Sequence, residues 1–203
     1  MALFVFDFDK TLINIDTDQF VIEKFNIQIP AAANWFETMR YVIEVILTQI
    51  GVQRLKELLS DIKIRVKNIP HNSIIVSDSN DLFINTILEA NGLKGAFKEI
   101  HCNRIVKNSL VPYGSHSCTN PICAKKPNMC KGMIIDNLRK KYTTKIIFIG
   151  DGANDYCATT RLLSNEFALV RAGYKLDELL PIDVRFPRWD SYEYLDKLIM
   201  SIE

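Results

Sequence analysis

Three short apolar runs lie along the chain, and each ends at a cluster of polar residues. The runs cover residues 3–6, 73–76 and 145–149. Unbroken apolar runs of this length, bounded by turn-forming residues, are typical of strands buried on both faces. Helical patterns follow the second and third runs, at residues 81–91 and 155–163. This alternation predicts an α/β fold with a parallel sheet, in which the polar clusters meet at the carboxyl ends of the strands.

The long segment between the first and second runs predicts helices instead of strands. Residues 17–25, 31–48 and 53–66 have helical patterns, and apolar residues recur at helical spacing from Val42 to Ile50. Helices of the protein core are the simplest interpretation of this pattern. Because the segment leaves the first strand at its carboxyl end, it could also cover the cleft as a lid.

The first polar cluster contains Asp7 and Asp9, two acids that directly follow a buried strand. Two aspartates at this spacing, without other acidic partners, usually belong to a solvated turn. Beside a buried strand, however, two carboxylates need a compensating charge, and Mg²⁺ prefers such hard oxygen ligands. Asp151 follows the third strand and could complete the shell of the metal. The sequence therefore predicts a magnesium site.

The same residues predict phosphoryl-transfer chemistry. A carboxylate that faces a phosphorus atom can attack it and form an aspartyl-phosphate. A second carboxyl group, two residues later, can protonate the leaving oxygen and then accept a proton from water. Ser77 could donate hydrogen bonds to the phosphoryl oxygens, and a lysine could supply positive charge.

Four segments together resemble the motifs of the haloacid dehalogenase-like phosphatases. In chain order they are Asp7-Phe8-Asp9-Lys10-Thr11, Ser77, Lys131 and Gly150-Asp151-Gly152-Ala153-Asn154-Asp155. The helical insertion is similar to the C1 cap of that superfamily. The resemblance implies a Rossmann-like parallel sheet core, formed by residues 1–15 and 67–203, with a helical C1-type cap at residues 16–66 inserted after the first strand.

A narrower set of segments is similar to the phosphoethanolamine/phosphocholine phosphatase family. The segments are residues 6–13 followed by Asp16 and Asp18, then 77–80, 127–132 and 150–157. This resemblance implies that Asp7 is the nucleophile and Asp9 the proton donor. The other implied roles are catalytic for Ser77 and Lys131, magnesium-binding for Asp7, Asp9 and Asp151, and substrate-binding for Asp18 and Asp78. The implied substrate is phosphoethanolamine or phosphocholine, with pyridoxal 5′-phosphate and inorganic pyrophosphate as alternatives.

Asp18 has a competing structural interpretation. It opens the predicted helix 17–25, where an acid stabilises the positive end of the helix dipole without touching a substrate. Two carboxylates near the lid would nevertheless suit the cationic end of phosphoethanolamine or phosphocholine. Both interpretations of Asp18 stay open, whereas Asp78 lies between motif residues and has the weaker structural alternative.

Lys131 has lysine neighbours that are equally charged. These are Lys107, Lys125 and Lys126. Lys131 is the choice because it falls in the segment that resembles the family and precedes the predicted helix 133–142. Asp155 is expected to orient Lys131 or a magnesium-bound water.

Cysteine and histidine form a second candidate metal site between the second and third runs. His116, Cys118, Cys123 and Cys130 offer four potential ligands for structural zinc, although their spacing is looser than usual. The alternative, which we favour, is a loop of reduced thiols beside the active site. Cys102 and Cys157 are expected to be small core residues. Five cysteines, an odd number, argue against a disulfide framework.

Composition and charge exclude several classes of function. The chain has 203 residues and a net charge of +1, with acids and bases interspersed, so no basic stripe predicts a nucleic-acid or membrane partner. The first apolar run is too short for a signal peptide. The longest helical apolar stretch, 41–52, is too short to span a bilayer. We therefore expect a cytoplasmic protein that binds a small phosphorylated metabolite, while its oligomeric state stays open.

The chain departs from the family pattern before the second strand. Residues 66–72, which contain Pro70, leave no room for the core helix expected there, and residues 100–113 are also short. Either the last lid helix doubles as the missing core helix, or one flank of the sheet is thinly covered. The short junction favours a non-catalytic homologue, and the intact motifs favour an enzyme. A phosphoprotein phosphatase is disfavoured because the lid would close the cleft.

Overall fold

The computed structural model describes residues 2–31, 34–124 and 129–202, and one mixed sheet organises this part of the chain. The strands are β1 (Leu3–Phe6), β2 (Ser73–Asn80), β3 (Glu99–Val106), β4 (Ser109–Val111), β5 (Ile146–Gly150), β6 (Phe167–Arg171) and β7 (Arg188–Trp189). Their order across the sheet is β4-β3-β2-β1-β5-β6-β7. All neighbouring strands are parallel except β3 and β4. The predicted α/β fold is confirmed.

Helices connect and cover the strands. They are α1 (Thr17–Phe25), α2 (Trp35–Val45), α3 (Val52–Ser60), α4 (Asp81–Ala90), α5 (Pro121–Ala124), α6 (Lys131–Lys141), α7 (Tyr156–Thr159), α8 (Lys175–Leu179) and α9 (Tyr192–Ile202). A π-helical turn, Ile46–Ile50, continues α2, and a 3₁₀ turn, Ala153–Asp155, precedes α7. The helix predicted at residues 155–163 is thus shorter: the 3₁₀ turn and α7 together end at Thr159. No helix in the described ranges is long and apolar enough to cross a bilayer.

The three central strands place the predicted motif residues at one edge of the sheet. β1 lies between β2 and β5, with Phe6 level with Ile75 on one side and Ile149 on the other. Since these strands are parallel, the residues after β1 and β5 and the last part of β2 lie at the same edge. β2 runs farther than predicted, to Asn80, because it pairs again with β3 at Asn103 after a bulge.

The segment after β3 is a hairpin that the apolar pattern did not predict. Lys107 and Asn108 join β3 to β4 and have positive φ angles of 50° and 63°. Two adjacent residues in this region form the type of turn that suits the twist of an antiparallel pair. The short stretch 100–113 is therefore an extended edge of the sheet.

The helices between β1 and β2 form the C1-type cap. Asp16 begins α1 by accepting a hydrogen bond from the backbone of Gln19, 3.1 Å away. Asn34 and Glu37 form a reciprocal capping box at the start of α2, so this helix begins later than predicted. Residues 32–33 of the predicted helix lie outside the described residues. The π turn ends at Gly51, whose φ of 97° favours glycine.

The last cap helix is shorter than predicted, because α3 ends at Ser60 and residues 61–72 follow without regular structure. Asn91 fixes this segment: its side chain accepts a hydrogen bond from the backbone N–H of Ile64 and donates one to the carbonyl of Ile62. α3 packs against α4. The last cap helix therefore covers the flank of the core, as the first of the two alternatives expects.

Two apolar clusters enclose the sheet. Leu3 and Val5 of β1 belong to one cluster, and Phe4 and Phe6 belong to the other. The second of these clusters also contains buried apolar residues of the cap, namely Val21, Met39, Val42, Ile43, Ile46, Leu55 and Leu59. The cap and the sheet thus share one apolar core.

Candidate active site

Lys131 connects the ends of two central strands. It is the first residue of α6, its side chain is only 1 % exposed, and its Nζ lies 2.7 Å from Oδ1 of Asp7 and 2.7 Å from Oδ1 of Asp155. Burial lowers the pKa of Lys131, but the carboxylates of Asp155 and Asp7 outweigh burial and raise it. Lys131 therefore stays charged. Lys125 and Lys126, its predicted competitors, lie outside the described residues.

Three carboxylates meet beside this ammonium group. Oxygen atoms of Asp7, Asp151 and Asp155 all lie within 4.8 Å of one another. Burial, followed by the charge of Asp155, raises the pKa of Asp7 and also raises the pKa of Asp151 to about 7. When all three carboxylates are ionised, the single lysine leaves two negative charges uncompensated, which one divalent cation would balance. The cluster thus suits a hard divalent metal.

The carboxylate of Asp7 accepts few hydrogen bonds, as suits a metal ligand. Its Oδ1 is close to Lys131 but receives no hydrogen bond of regular geometry from the described residues. The backbone N–H of Asp7 donates to Ile149, 2.8 Å away, which fixes the residue at the end of β1. Thr11 donates its hydroxyl to Oδ1 of Asp151 at 3.2 Å and so ties the first motif to the fourth.

Asp155 holds the turn after β5. Its Oδ2 accepts hydrogen bonds from the backbone N–H groups of Asp151 at 2.9 Å and Gly152 at 2.8 Å, while Oδ1 accepts from Lys131. A Cβ atom on Gly150 would lie 2.5 Å from Oδ2 of Asp155, so the close approach requires glycine. Because both oxygens of Asp155 already accept hydrogen bonds, its evident task is to position Lys131 and Asp151. The predicted contact with Lys131 is present.

The carboxylate of Asp9 faces the cap instead of the acidic cluster. It accepts hydrogen bonds from Thr17, at 3.2 Å from the backbone nitrogen and 3.0 Å from the hydroxyl. Burial, followed by the charges of Asp18 and Asp16, raises the pKa of Asp9 well above its usual range. A protonated Asp9 suits a general acid. Its role as a metal ligand stays a prediction, since the three clustered carboxylates do not include it.

Asp18 and Asp78 form the far side of this acidic region. Asp18 is buried in the first turn of α1. Burial, followed by the charges of Asp16 and Asp78, raises the pKa of Asp18 well above its usual range. Asp78 lies in β2 and is half-buried. The structure therefore brings the two predicted substrate residues close enough to interact, one from the cap and one from the sheet.

Ser77 lies deep in the site. It is fully buried in β2, and its hydroxyl accepts a hydrogen bond from the backbone N–H of Ser79 at 3.2 Å. Ser79 in turn shares a hydrogen bond with Thr17 of the cap, at 3.2 Å. Sequence reasoning missed Thr17 and Ser79, although both are small hydroxyl residues next to predicted substrate residues, which was the available signal.

The cysteine cluster differs from the predicted zinc set. Sulfur atoms of Cys118, Cys123, Cys130 and Cys157 all lie within 4.8 Å of one another. Cys157 is buried, as expected of a small core residue, and it also belongs to this sulfur group, which the sequence did not predict. His116 lies at the margin, with Nε2 3.9 Å from the sulfur of Cys123. Cys102 is buried in the apolar core, as expected.

Comparisons with known proteins agree with the geometry. The family model described as Putative Phosphatase matches residues 2–195. The chain is 30% identical to inorganic pyrophosphatase 2 of Arabidopsis thaliana over 231 aligned residues, covering 98% of this chain and 82% of the relative. It is 31% identical to pyridoxal phosphate phosphatase PHOSPHO2 of Mus musculus, covering 88% of this chain and 86% of the relative.

A solved structure shares the fold. A substrate-bound phosphoserine phosphatase complex aligns with a TM-score of 0.63 at 15% identity, covering 98% of this chain and 97% of that one. The alignment with the plant relative is longer than the 203 residues of this chain, so the relative has segments that this chain lacks. The family model nevertheless covers the chain almost from end to end, and the chain belongs to the Putative Phosphatase family, as a phosphatase of the haloacid dehalogenase-like superfamily.

Proposed function

We propose that this phosphatase of small phosphomonoesters uses Asp7 as its nucleophile, Asp9 as its general acid and base, and Mg²⁺ as its cofactor. The observation that carries the proposal is the buried ion pair in which Nζ of Lys131 lies 2.7 Å from Oδ1 of Asp7. Lys131 orients the carboxylate and places a positive charge where phosphoryl oxygens would lie. Mg²⁺, held by Asp7, Asp9 and Asp151, would add positive charge at the same place.

The residues support a two-step reaction. A carboxylate oxygen of Asp7 forms a bond to phosphorus while the bond from phosphorus to the ester oxygen breaks, and Asp9 transfers its proton to that oxygen. Asp9 then accepts a proton from water as the water oxygen bonds to phosphorus. The bond between phosphorus and Asp7 breaks, inorganic phosphate leaves, and both carboxyl groups return to their initial states.

Ser77 and Lys131 are proposed to bind the phosphoryl group, and Asp155 to position Lys131. Ser77 sits on β2, the neighbour of β1, on the motif edge of the sheet. Its buried hydroxyl can donate to a phosphoryl oxygen because the hydrogen bond from Ser79 uses only an acceptor site of that hydroxyl.

For the substrate, we propose a phosphomonoester with a cationic end, with phosphoethanolamine and phosphocholine as the leading candidates. Asp18 and Asp78 support this choice, because two interacting carboxylates beneath the cap favour an ammonium group. Pyridoxal phosphate and inorganic pyrophosphate are the second candidates, which the names of the two relatives favour. Pyrophosphate is wholly anionic, so the acidic region would oppose its far end.

The domain division and cellular location are part of the same proposal. Residues 16–66 act as the cap and residues 1–15 and 67–203 as the core, since Thr17 contacts Asp9 and Ser79 from the cap side. A cytoplasmic location is supported by the five cysteines, all with free thiols. The proposed partner is a small phosphorylated metabolite, without nucleic acid or membrane.

The test is a phosphate-release assay on purified protein with Mg²⁺ and a panel of phosphoethanolamine, phosphocholine, pyridoxal phosphate and pyrophosphate. We expect magnesium-dependent turnover that is highest on the cationic substrates. Asp7→Asn should lower kcat at least about a thousandfold, whereas Asp61→Asn, an exposed control at the end of α3, should not. A folded wild-type protein without turnover of any of the four would favour the non-catalytic alternative.

A further inference from the structure

A group of four cysteine sulfurs lies outside the catalytic cluster. The sulfur of Cys157 is 3.4 Å from that of Cys118 and 3.6 Å from that of Cys130, and Cys123 completes a group within 4.8 Å. Zinc bound by four thiolates at about 2.3 Å places the sulfurs about 3.8 Å apart at the corners of a tetrahedron. The observed separations fit this arrangement, and all four cysteines have free thiols.

The four sulfurs come from segments that have little other reason to meet. Cys118 belongs to a stretch without regular structure, and Cys123 to the four-residue helix α5. Cys130 directly precedes α6, and Cys157 belongs to α7. Cys123, Cys130 and Cys157 are buried together in a small cluster that is separate from the two apolar cores of the sheet. Thiols that merely filled space would not need to point at one another.

Hydrogen-bond donors surround the sulfurs. The backbone N–H of Met133, in the first turn of α6, donates to the sulfur of Cys130 at 3.4 Å. The imidazole Nε2 of His116 lies 3.9 Å from the sulfur of Cys123, and its Nδ1 accepts the backbone N–H of Cys118 at 3.4 Å. Such donors stabilise thiolate charge around a bound metal.

We propose that Cys118, Cys123, Cys130 and Cys157 bind one structural zinc ion, with His116 outside the ligand set. The ion would join the loop before α6 to α7. Cys130 is adjacent to Lys131, and Cys157 follows Asp155 by two residues, so zinc would clamp together the two backbone segments that carry the Lys131–Asp155 ion pair. The ligands of this zinc site are distinct from those proposed for magnesium, and the proposal does not depend on which substrate is used.

Gly132 permits this arrangement. A Cβ atom at that position would lie 2.5 Å from the carbonyl oxygen of Cys157 and 3.0 Å from its sulfur. Only a residue without a side chain lets the first turn of α6 approach α7 so closely. The close contact at Gly132 thus lets α6, which begins next to Cys130, lie against α7, which carries Cys157.

The test measures metal instead of activity. Protein produced in zinc-supplemented medium, then gel-filtered, should contain about one zinc per chain by elemental analysis. Cys157→Ser should lose most of it, and Cys102→Ser, a buried cysteine outside the group, should keep it. His116→Ala should also keep it. Zinc-free wild type, zinc retained by Cys157→Ser, or equal loss in Cys102→Ser would overturn the proposal.

Cobalt substitution of the wild-type protein avoids any dependence on how a variant folds. Cobalt bound by four thiolates in a tetrahedron absorbs strongly through sulfur-to-metal charge transfer, and zinc should displace it stoichiometrically. A spectrum typical of octahedral oxygen ligands would overturn the proposal. Because neither measurement requires turnover, a failed zinc proposal and a failed phosphatase proposal would be told apart.

Discussion

The hydroxyl of Thr17 lies 3.0 Å from the carboxylate of Asp9, so a residue of the cap holds a carboxyl group of the core. Thr17→Val keeps the shape of the side chain but removes this hydrogen bond. We expect kcat to fall about tenfold, which corresponds to about 1.4 kcal/mol for one hydrogen bond to a reacting group. Thr17→Ser should restore most of the rate. Unchanged kinetics of Thr17→Val would contradict the role of this contact.

The charge of Asp18 should shift the pH dependence of the reaction. Burial, followed by the charge of Asp18, raises the pKa of Asp9, whereas the hydrogen bond from Thr17 lowers it. Since the first step needs Asp9 protonated, kcat/KM should fall as the pH rises through that pKa. Asp18→Asn should therefore move this fall to lower pH, and Thr17→Val should move it to higher pH. Shifts of both profiles in the same direction would exclude the assignment of Asp9 as the acid.

Asp18→Asn should also change substrate preference. Loss of one carboxylate beneath the cap weakens the attraction for an ammonium group but leaves the phosphoryl site intact. We expect kcat/KM for phosphoethanolamine to fall about tenfold or more, with a smaller loss for p-nitrophenyl phosphate, which has no cationic end. Both substrates are measured at one pH below the fall of the profile. Equal losses would remove Asp18 from the substrate pocket and leave its helix-terminal role.

Replacement of Lys131 should affect both rate and stability. Lys131→Met leaves the carboxylates of Asp7 and Asp155 buried without their cation, which costs about 3–5 kcal/mol when one partner of a buried pair is removed. We expect loss of detectable turnover and a lower midpoint of urea unfolding. Lys140→Met, on the exposed face of the same helix, is the control. A stable and active Lys131→Met protein would refute the proposed role.

Asn91 should stabilise the junction between the cap and β2. Its side chain makes three hydrogen bonds to backbone groups, of Ile62, Ile64 and Ile87. Asn91→Ala leaves these groups unpaired and should lower the free energy of unfolding by about 1–3 kcal/mol. Asn85→Ala, on the exposed side of α4, should change it little. Similar losses in both variants, by urea denaturation, would contradict this assignment.

The apolar runs were enough to predict β1 and the alternation of strands and helices, because residues buried on both faces leave a strong local pattern. The end of α3 could not be predicted. Residues 61–72 leave the helix since distant partners take their backbone groups: the N–H of Arg65 donates to Leu12, and those of Lys67 and Asn68 donate to Asp196. No local pattern carries that information.

The candidate site residues likewise divide into those that local sequence predicts and those that long-range packing decides. Asp7 and Asp151 follow strands, Ser77 lies in the last part of β2 and Lys131 opens a helix, so motif and topology together predict where they lie. Cys157 was missed as a member of the sulfur group because it is 39 residues from Cys118, and only the packing of α6 against α7 brings it there. The direction of the Asp9 side chain could not be predicted from the sequence either, because it depends on a contact with Thr17 of the cap.

The apolar core that the cap shares with the sheet limits how the active site can open. Six side chains of α2, its π turn and α3 are buried in that core: Met39, Val42, Ile43, Ile46, Leu55 and Leu59. Exposing each would cost about 1.5–3 kcal/mol, so a rigid swing of the cap would consume a free energy comparable with the whole stability of a domain, about 5–15 kcal/mol. α1 contributes one fully buried apolar residue, Val21. Because Phe20, Ile22 and Phe25 of α1 also pack against this core, a rigid swing of the whole cap is a costly way to admit substrate or release phosphate.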